Sequence, residues 1–238
     1  MLASLANVTG LPAVRAARAL LADPDDLPQV FTLIEELSGD TLARIEKRLS
    51  STETGRALLE ERPDIVPVLT DRAALERLPV GSLGRAYLAF MESEAISAGG
   101  IQEAEARGKT GGKVLPAAEE YVGQRLRDTH DLWHAVTGYK GDVLGETALL
   151  AFTLAQTWNP ALFVIASIGL FKMSGAREAR ELIVRGFRRG LRASWFPGER
   201  WESLLALPLD EVRHRLLVDD PPVYTPVRTA EIRAERAA

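Results

Sequence analysis

The chain contains no cysteine, which excludes disulfides, thiolate metal sites and cysteine nucleophiles. Histidine is scarce too: with 3 in 238 residues, imidazole chemistry is confined to His130, His134 and His214. Charge of one sign is not in excess, since 29 Lys+Arg against 33 Asp+Glu leave −4. No dense basic block with interleaved aromatics occurs, so nucleic acid is not an expected partner; the run RGFRRGLRASW is a local patch. A long hydrophobic run is missing as well. The most apolar stretch, PALFVIASIGLF from Pro160 to Phe171, falls short of the roughly 20 residues a bilayer requires. Being apolar on nearly every side, it has to be covered by protein, by a long apolar ligand or by a membrane surface. The opening MLASLANVTGLPAVRAARALLADPDD lacks the basic n-region and continuous apolar h-region of a secretory signal and reads as mature protein.

What is present is helical periodicity. Val30, Phe31, Ile34 and Leu37 follow Asp26, and Leu42, Ile45 and Leu49 follow Asp40, each at three- and four-residue spacing. Asp71 opens a short helix stopped by Pro79. Leu83, Tyr87, Phe90 and Met91 mark a longer one that ends around SAGG. The glycine-rich RGKTGGKVLP, Arg107 to Pro116, reads as a loop; it lacks the GxxxxGK[ST] spacing and the preceding strand of a phosphate loop. From Pro116 one long helix is expected through Tyr121, Leu126 and Trp133 to Gly138. Apolar helices follow from Glu146 to Trp158 and from Pro160 to Met173. An amphipathic helix through Leu182, Ile183 and Phe187 comes next, then a last one near Leu209 to Leu217. The tail DDPPVYTPVR is too rich in proline to be helical. No alternating run long enough for a sheet occurs, so the expectation is one all-α domain over 1–238, its metal site lying between two consecutive helices.

The chemistry concentrates in THDLWHAVTGYKGDVLGETALL, Thr129 to Leu150. At about 100° per residue, His134 falls about 40° from His130 and Asp131 about 100°. The same count puts Gly138 near 80°, leaving open space, and Arg127 near 60°, placing a cation beside the site. Histidines four apart on one helical face can both ligate a metal. The carboxylate between them is Asp131, shorter than the Glu of an HExxH site, and suited to bind metal directly or to orient a histidine. The glycines of GYKGDVLGE allow the chain to fold back and bring Glu146 to the pair. Two imidazoles with one or two carboxylates suit Zn²⁺, with Fe or Mn as alternatives. His214, between two arginines, is expected to be solvated.

The window HDLWHAVTGYKGDVLGE resembles the HDxxH–x11–E signature of the coenzyme Q (ubiquinone) biosynthesis protein four family. The likeness extends to GSLGRAYLAFM, YVGQRLRDTHD and RWESLLALPLDEVRHRLLV, and runs from about Leu78 to the C-terminus; residues 1–77 are less distinctive. The sequence departs from the family pattern in the insertion-like LALPLDEVRHR and in Asp at position 128, where Glu is commoner. The resemblance implies an all-helical fold and a metal, usually zinc, on His130, Asp131, His134 and Glu146. It implies a late step of ubiquinone biosynthesis on a polyprenylated aromatic precursor: oxidative decarboxylation, in which the ring carboxylate gives way to hydroxyl. The alternative it carries is a non-catalytic, lipid-binding organiser of the biosynthetic complex.

On either view the apolar helices from Ala148 to Phe171 would line a channel for the isoprenoid tail or sit against the bilayer. Arg127 would either steady a carboxylate through paired hydrogen bonds or serve the structure alone. The expected partners are the quinone precursor, other ubiquinone biosynthesis proteins, further copies of the chain and a membrane surface. The expected location is peripheral, on the inner face of a bacterial inner membrane. Zinc itself has no redox chemistry, so oxidation there would draw on O₂ or on a different metal.

Overall fold

Apolar residues at helical spacing wind most of the chain into helix, as the computed structural model shows for residues 11–23, 26–94, 100–108, 114–172 and 177–227. The N-terminal part holds α1 (Leu11–Ala22), α2 (Leu27–Leu37), α3 (Thr41–Leu49), α4 (Glu53–Glu61), α5 (Val66–Thr70) and α6 (Arg72–Arg77). The middle holds α7 (Leu83–Glu94), α8 (Gly100–Gly108), α9 (Ala117–Asp128), α10 (His130–Thr137) and α11 (Val143–Thr157). Then come α12 (Pro160–Lys172), α13 (Arg177–Arg192), a 3-10 turn at Phe196–Gly198, α14 (Trp201–Leu204) and α15 (Leu209–Arg215). Among the described residues there is no strand, only an isolated bridge between Ser82 and Pro208. The bottom of the glycine-rich loop (109–113), the SAG of SAGG and Met173 lie outside the described residues.

The single helix expected from Pro116 to Gly138 is two. Thr129 breaks it: its hydroxyl donates to the Arg125 carbonyl at 2.8 Å, and its backbone sits at φ −95, ψ −2. The interruption is one residue long, for the Thr129 N–H still donates to Arg125 O at 3.0 Å and the Trp133 N–H to Thr129 O at 3.2 Å.

The core gathers around α11. Trp133 of α10, Phe152 of α11, Phe196 of the 3-10 turn and Trp201 of α14 are all buried. Phe196 lies 5.2, 5.0 and 5.3 Å from the other three rings, in tilted or edge-on contacts. These arrangements suit the ring quadrupoles. On its other side α11 meets α13 so closely that a Cβ at Gly186 or Gly190 would fall 2.3 Å from the Ala148 carbonyl or 2.5 Å from that of Phe152. Only glycine fits there. α1 and α2 pack against α12 in a second apolar cluster through Ala16, Leu20, Leu33, Leu162 and Ile165.

The apolar residues between Ala148 and Phe171 divide between two environments. Those of α11 are spent on packing, whereas Trp158, Phe163 and Phe171 remain exposed. That exposure favours an outer apolar face on α12 over a channel enclosed by the two helices. Among the described residues, no helix is long and apolar enough to cross a membrane.

Candidate metal centre

α10 is only eight residues long, too short to be stable alone in water, so its neighbours must hold it. Its C-terminal carbonyls are capped three ways. The Gly138 N–H donates to His134 O at 2.8 Å. Arg213 of α15 donates from Nε to Val136 O at 2.9 Å. Arg189 of α13 donates from Nη2 to Thr137 O at 3.0 Å and Asp219 O at 2.8 Å. Two guanidinium groups at a helix C-terminus also answer the negative end of its dipole. Arg189 therefore does not belong to a solvated basic patch: it is 3% exposed, and its ring neighbour is Tyr139, 5.1 Å away. Gly138 leaves no open space either. It sits at φ +78, and a Cβ there would meet Pro221 at 2.5 Å.

α11 starts where Asp142 caps it, accepting from Leu144 N at 3.1 Å and Gly145 N at 3.3 Å. This places Glu146 in its first turn, against the histidines. His134 Nε2 lies 3.1 Å from Glu146 Oε1, His130 Nε2 lies 3.4 Å from Glu146 Oε2, and the two Nε2 atoms are 3.2 Å apart. Ligands about 2.0–2.1 Å from one ion at tetrahedral angles are about 3.3 Å from one another. The trio fits a shared cation. His134 Nδ1 donates to the Tyr139 carbonyl at 2.9 Å, which leaves the Nε2 lone pair pointing into the trio. Phe90 of α7 stacks on the His134 ring at 4.8 Å and fixes its plane. The exposures form a gradient, 0% for the His134 side chain, 20% for His130 and 39% for Glu146, so the trio opens on the His130–Glu146 side.

The charges are strongly coupled. Burial pushes the His134 imidazole down, yet the facing Glu146 and Asp131 carboxylates carry it above its ordinary value. Burial likewise opposes ionisation of Glu146, and the two imidazoles override it, holding the carboxyl well below the usual carboxylate range. Asp131 is raised by burial, with partial relief from His130 and His134.

Of the residues singled out in the sequence, the structure groups His130, His134 and Glu146, whose ligand atoms all lie within 4.8 Å of one another. Asp131 stands outside that group but close enough for its charge to act on both histidines and on Tyr87. Arg127, placed beside the site by a count through Thr129, is instead held by Asp128, from Nε at 2.7 Å and Nη2 at 2.9 Å, and by Glu105 of α8. His214 lies in the last turn of α15, between Arg213 and Arg215. Sequence reasoning passed over Tyr139, Asp142, Arg189, Arg213 and Tyr224, which frame the trio from distant segments. Phe90 carried a signal, since it lies in the GSLGRAYLAFM block.

The family model described as "Coenzyme Q (ubiquinone) biosynthesis protein Coq4" matches residues 4–222. The chain belongs to the Coq4 family. Proteins of this family take part in ubiquinone biosynthesis. Among the curated Coq4 relatives, the mitochondrial homologue of Danio rerio is 33% identical over 219 residues, 89% of this chain and 76% of that protein. The mitochondrial protein of Aspergillus flavus is 32% identical over 190 residues, 78% of this chain, which spans 63% of that longer protein. The crystal structure of a Nostoc punctiforme protein assigned to ubiquinone biosynthesis superposes with a TM-score of 0.63 at 25% identity, covering 87% of this chain and 97% of that one.

Two blocks that carried the Coq4 resemblance meet in the structure. Arg125 of YVGQRLRD forms a two-pronged pair with Glu202 of the Trp-Glu block, at 2.9 and 3.0 Å. The insertion-like LALPLDEVRHR, Leu205–Arg215, contains the whole of α15 and supplies the Arg213 cap to α10.

Proposed function

We propose that this Coq4 protein holds a divalent metal on His130, His134 and Glu146, zinc first with Fe or Mn as alternatives, and that Asp131 adds a second carboxylate from the helix of the histidines. The loaded site then replaces the ring carboxylate of a polyprenylated hydroxybenzoate by hydroxyl. The observation that carries the reading is the trio itself: both imidazole Nε2 atoms lie 3.2 Å apart and each faces one oxygen of the Glu146 carboxylate, at 3.1 and 3.4 Å, on two helices fixed by caps. A bound divalent ion supplies Lewis acidity toward a carboxylate or phenolate oxygen of the ring. The protein's own part is to present both Nε2 lone pairs, to fix the His134 ring between Phe90 and the Tyr139 carbonyl, and to leave the His130–Glu146 side open to the head group. In the overall change the ring carboxyl departs as CO₂, a water molecule supplies the incoming hydroxyl oxygen, and O₂ takes up the two electrons and two protons released and leaves as H₂O₂. Arg127 is satisfied by Asp128 and Glu105, and we assign it to holding α8 against α9 rather than to the substrate.

The exposed Phe163 and Phe171 of α12 support contact with the isoprenoid tail or the membrane surface. With them goes a peripheral position, which we take to be the inner face of a bacterial inner membrane. Partner enzymes of the pathway and further copies of the chain belong to the same reading. The test is product analysis from purified, metal-analysed protein supplied with a prenylated hydroxybenzoate and O₂. Decarboxylated, hydroxylated product from the wild type and none from His134→Ala is the expected result. Tight binding of the precursor with no turnover by the metal-loaded wild type would replace this reading by the scaffold.

A further inference from the structure

The segment after α15 has no secondary structure through Val227, yet it follows the site loop residue by residue. Pro221 covers Gly138. Tyr224 Oη accepts from Lys140 N at 2.8 Å and donates to Asp142 Oδ2 at 2.9 Å. The Val227 N–H donates to Asp142 Oδ1 at 2.8 Å, and the Val143 N–H donates to the Val227 carbonyl at 3.0 Å. The Tyr224 hydroxyl also packs on the backbone beside the ligand, since a Cβ on Gly145 would lie 2.4 Å from it.

We propose that Tyr224 is a positioning residue for Glu146, acting through Asp142 to set where α11 begins. Asp142 divides its two oxygens. Oδ1 takes the Leu144, Gly145 and Val227 N–H groups, and Oδ2 takes the tyrosine hydroxyl. With Oδ2 held, the carboxylate cannot rotate about its bond, and the first turn of α11 is held in one register. The Glu146 N–H then donates to the Asp142 carbonyl at 2.8 Å, and its side chain meets the two imidazoles. Removing the hydroxyl leaves Oδ2 without its partner, so that the three N–H groups on Oδ1 alone hold the carboxylate, and loosens the direction of Glu146. Outer partners that orient metal ligands typically change metal affinity about 10–100-fold; Tyr224 acts one residue further out, so the lower end of that range is expected.

This inference rests on the metal reading of the trio, and the experiment separates the two. Full-length wild type, Tyr224→Phe, Asp142→Asn and the surface control Val223→Ser are titrated with Co²⁺ while its visible d–d bands are followed. Far-UV circular dichroism and melting of the metal-free proteins accompany each titration. Tyr224→Phe is expected to raise the Co²⁺ Kd about tenfold and to alter the d–d bands. Asp142→Asn should act in the same direction, and Val223→Ser should match the wild type. A Co²⁺ Kd within twofold of wild type and unchanged bands in both site variants, even alongside a lowered Tm, would overturn the positioning role alone. Wild-type protein that takes up no Co²⁺ would overturn the metal reading and this inference together.

Discussion

Glu202→Gln tests whether the two Coq4 blocks joined by the Arg125–Glu202 pair hold the fold around α9. Arg125 is 6% exposed and Glu202 21% on the side chain, and their two-pronged contact leaves Arg125 one further acceptor, the Glu199 carbonyl at 3.1 Å. Glutamine keeps the shape and one oxygen but removes the charge, leaving a buried guanidinium without its counter-ion. Breaking a buried pair from one side typically costs about 3–5 kcal/mol; with the Glu199 carbonyl and one amide oxygen retained, about 3 kcal/mol is expected. In a chain of this size about 1 kcal/mol shifts Tm by about 2–4 °C, so Glu202→Gln should melt about 6–12 °C lower. The pH dependence has a definite sign. Burial works against ionisation of Glu202, but Arg125 prevails and holds its carboxyl below the usual range. The stabilisation is therefore present above about pH 4.3, the unfolded value, and is lost as pH falls through the depressed folded value. The gap between wild type and Glu202→Gln should close in acid. Replacing both partners, as Arg125→Met with Glu202→Leu, should recover most of the loss. Thermal and urea unfolding followed by circular dichroism measure all of this. A Glu202→Gln protein within 0.5 kcal/mol of wild type at pH 7, a margin usual for plain surface changes, would refute the argument.

Three further outcomes follow from the site's frame. Arg189→Met removes the cap on Thr137 and its link to Asp219, and should cost about 2–3 kcal/mol in urea unfolding, whereas the exposed neighbour Arg188→Met should stay within about 0.5 kcal/mol. Gly138→Ala combines a left-handed backbone with a clash against Pro221 and should destabilise by about 2 kcal/mol or more, read in the same assay. Zinc affinity, measured by competition with a chromogenic chelator, should strengthen as pH rises from 6 to 8. The raised His134 must lose its proton before it can ligate, and an affinity flat over that range would count against it as a ligand.

How much of this was legible depended on distance along the chain. The pairing of His130 with His134 needed only one turn of helix, and it held. Bringing in Glu146 needed a reversal that the glycines of GYKGDVLGE announce, and that held too. The partners of Arg127 were not legible, because a periodicity count does not register that its guanidinium pairs with the adjacent Asp128 and with Glu105 of α8. Gly138 was read as space because periodicity says nothing about Pro221, more than eighty residues away. The buried role of Arg189 was hidden for a related reason: in RGFRRGLR it looks like its solvated neighbours, and only the close packing of α13 on α11 turns it inward. The helical class was plain from spacing. Short elements such as α5 and α14 were not, because one turn carries too little pattern.

The order in which these parts are made has its own meaning. A ribosome delivers His130, His134 and Glu146 well before it delivers Arg189, Arg213 and the segment ending at Val227. At about 5–20 residues per second, the roughly hundred residues between the histidines and Val227 take about 5–20 s to appear. During that interval the two-turn helix has its histidines first without either arginine, then with Arg189, then with Arg213, and last of all gains the segment that overlies the loop before Glu146. Completion of the centre is thus a late event in the life of a new chain, coupled to the emergence of its C-terminal segment, and a stall or truncation between the end of α13 and Val227 would yield a protein with every ligand and no finished site.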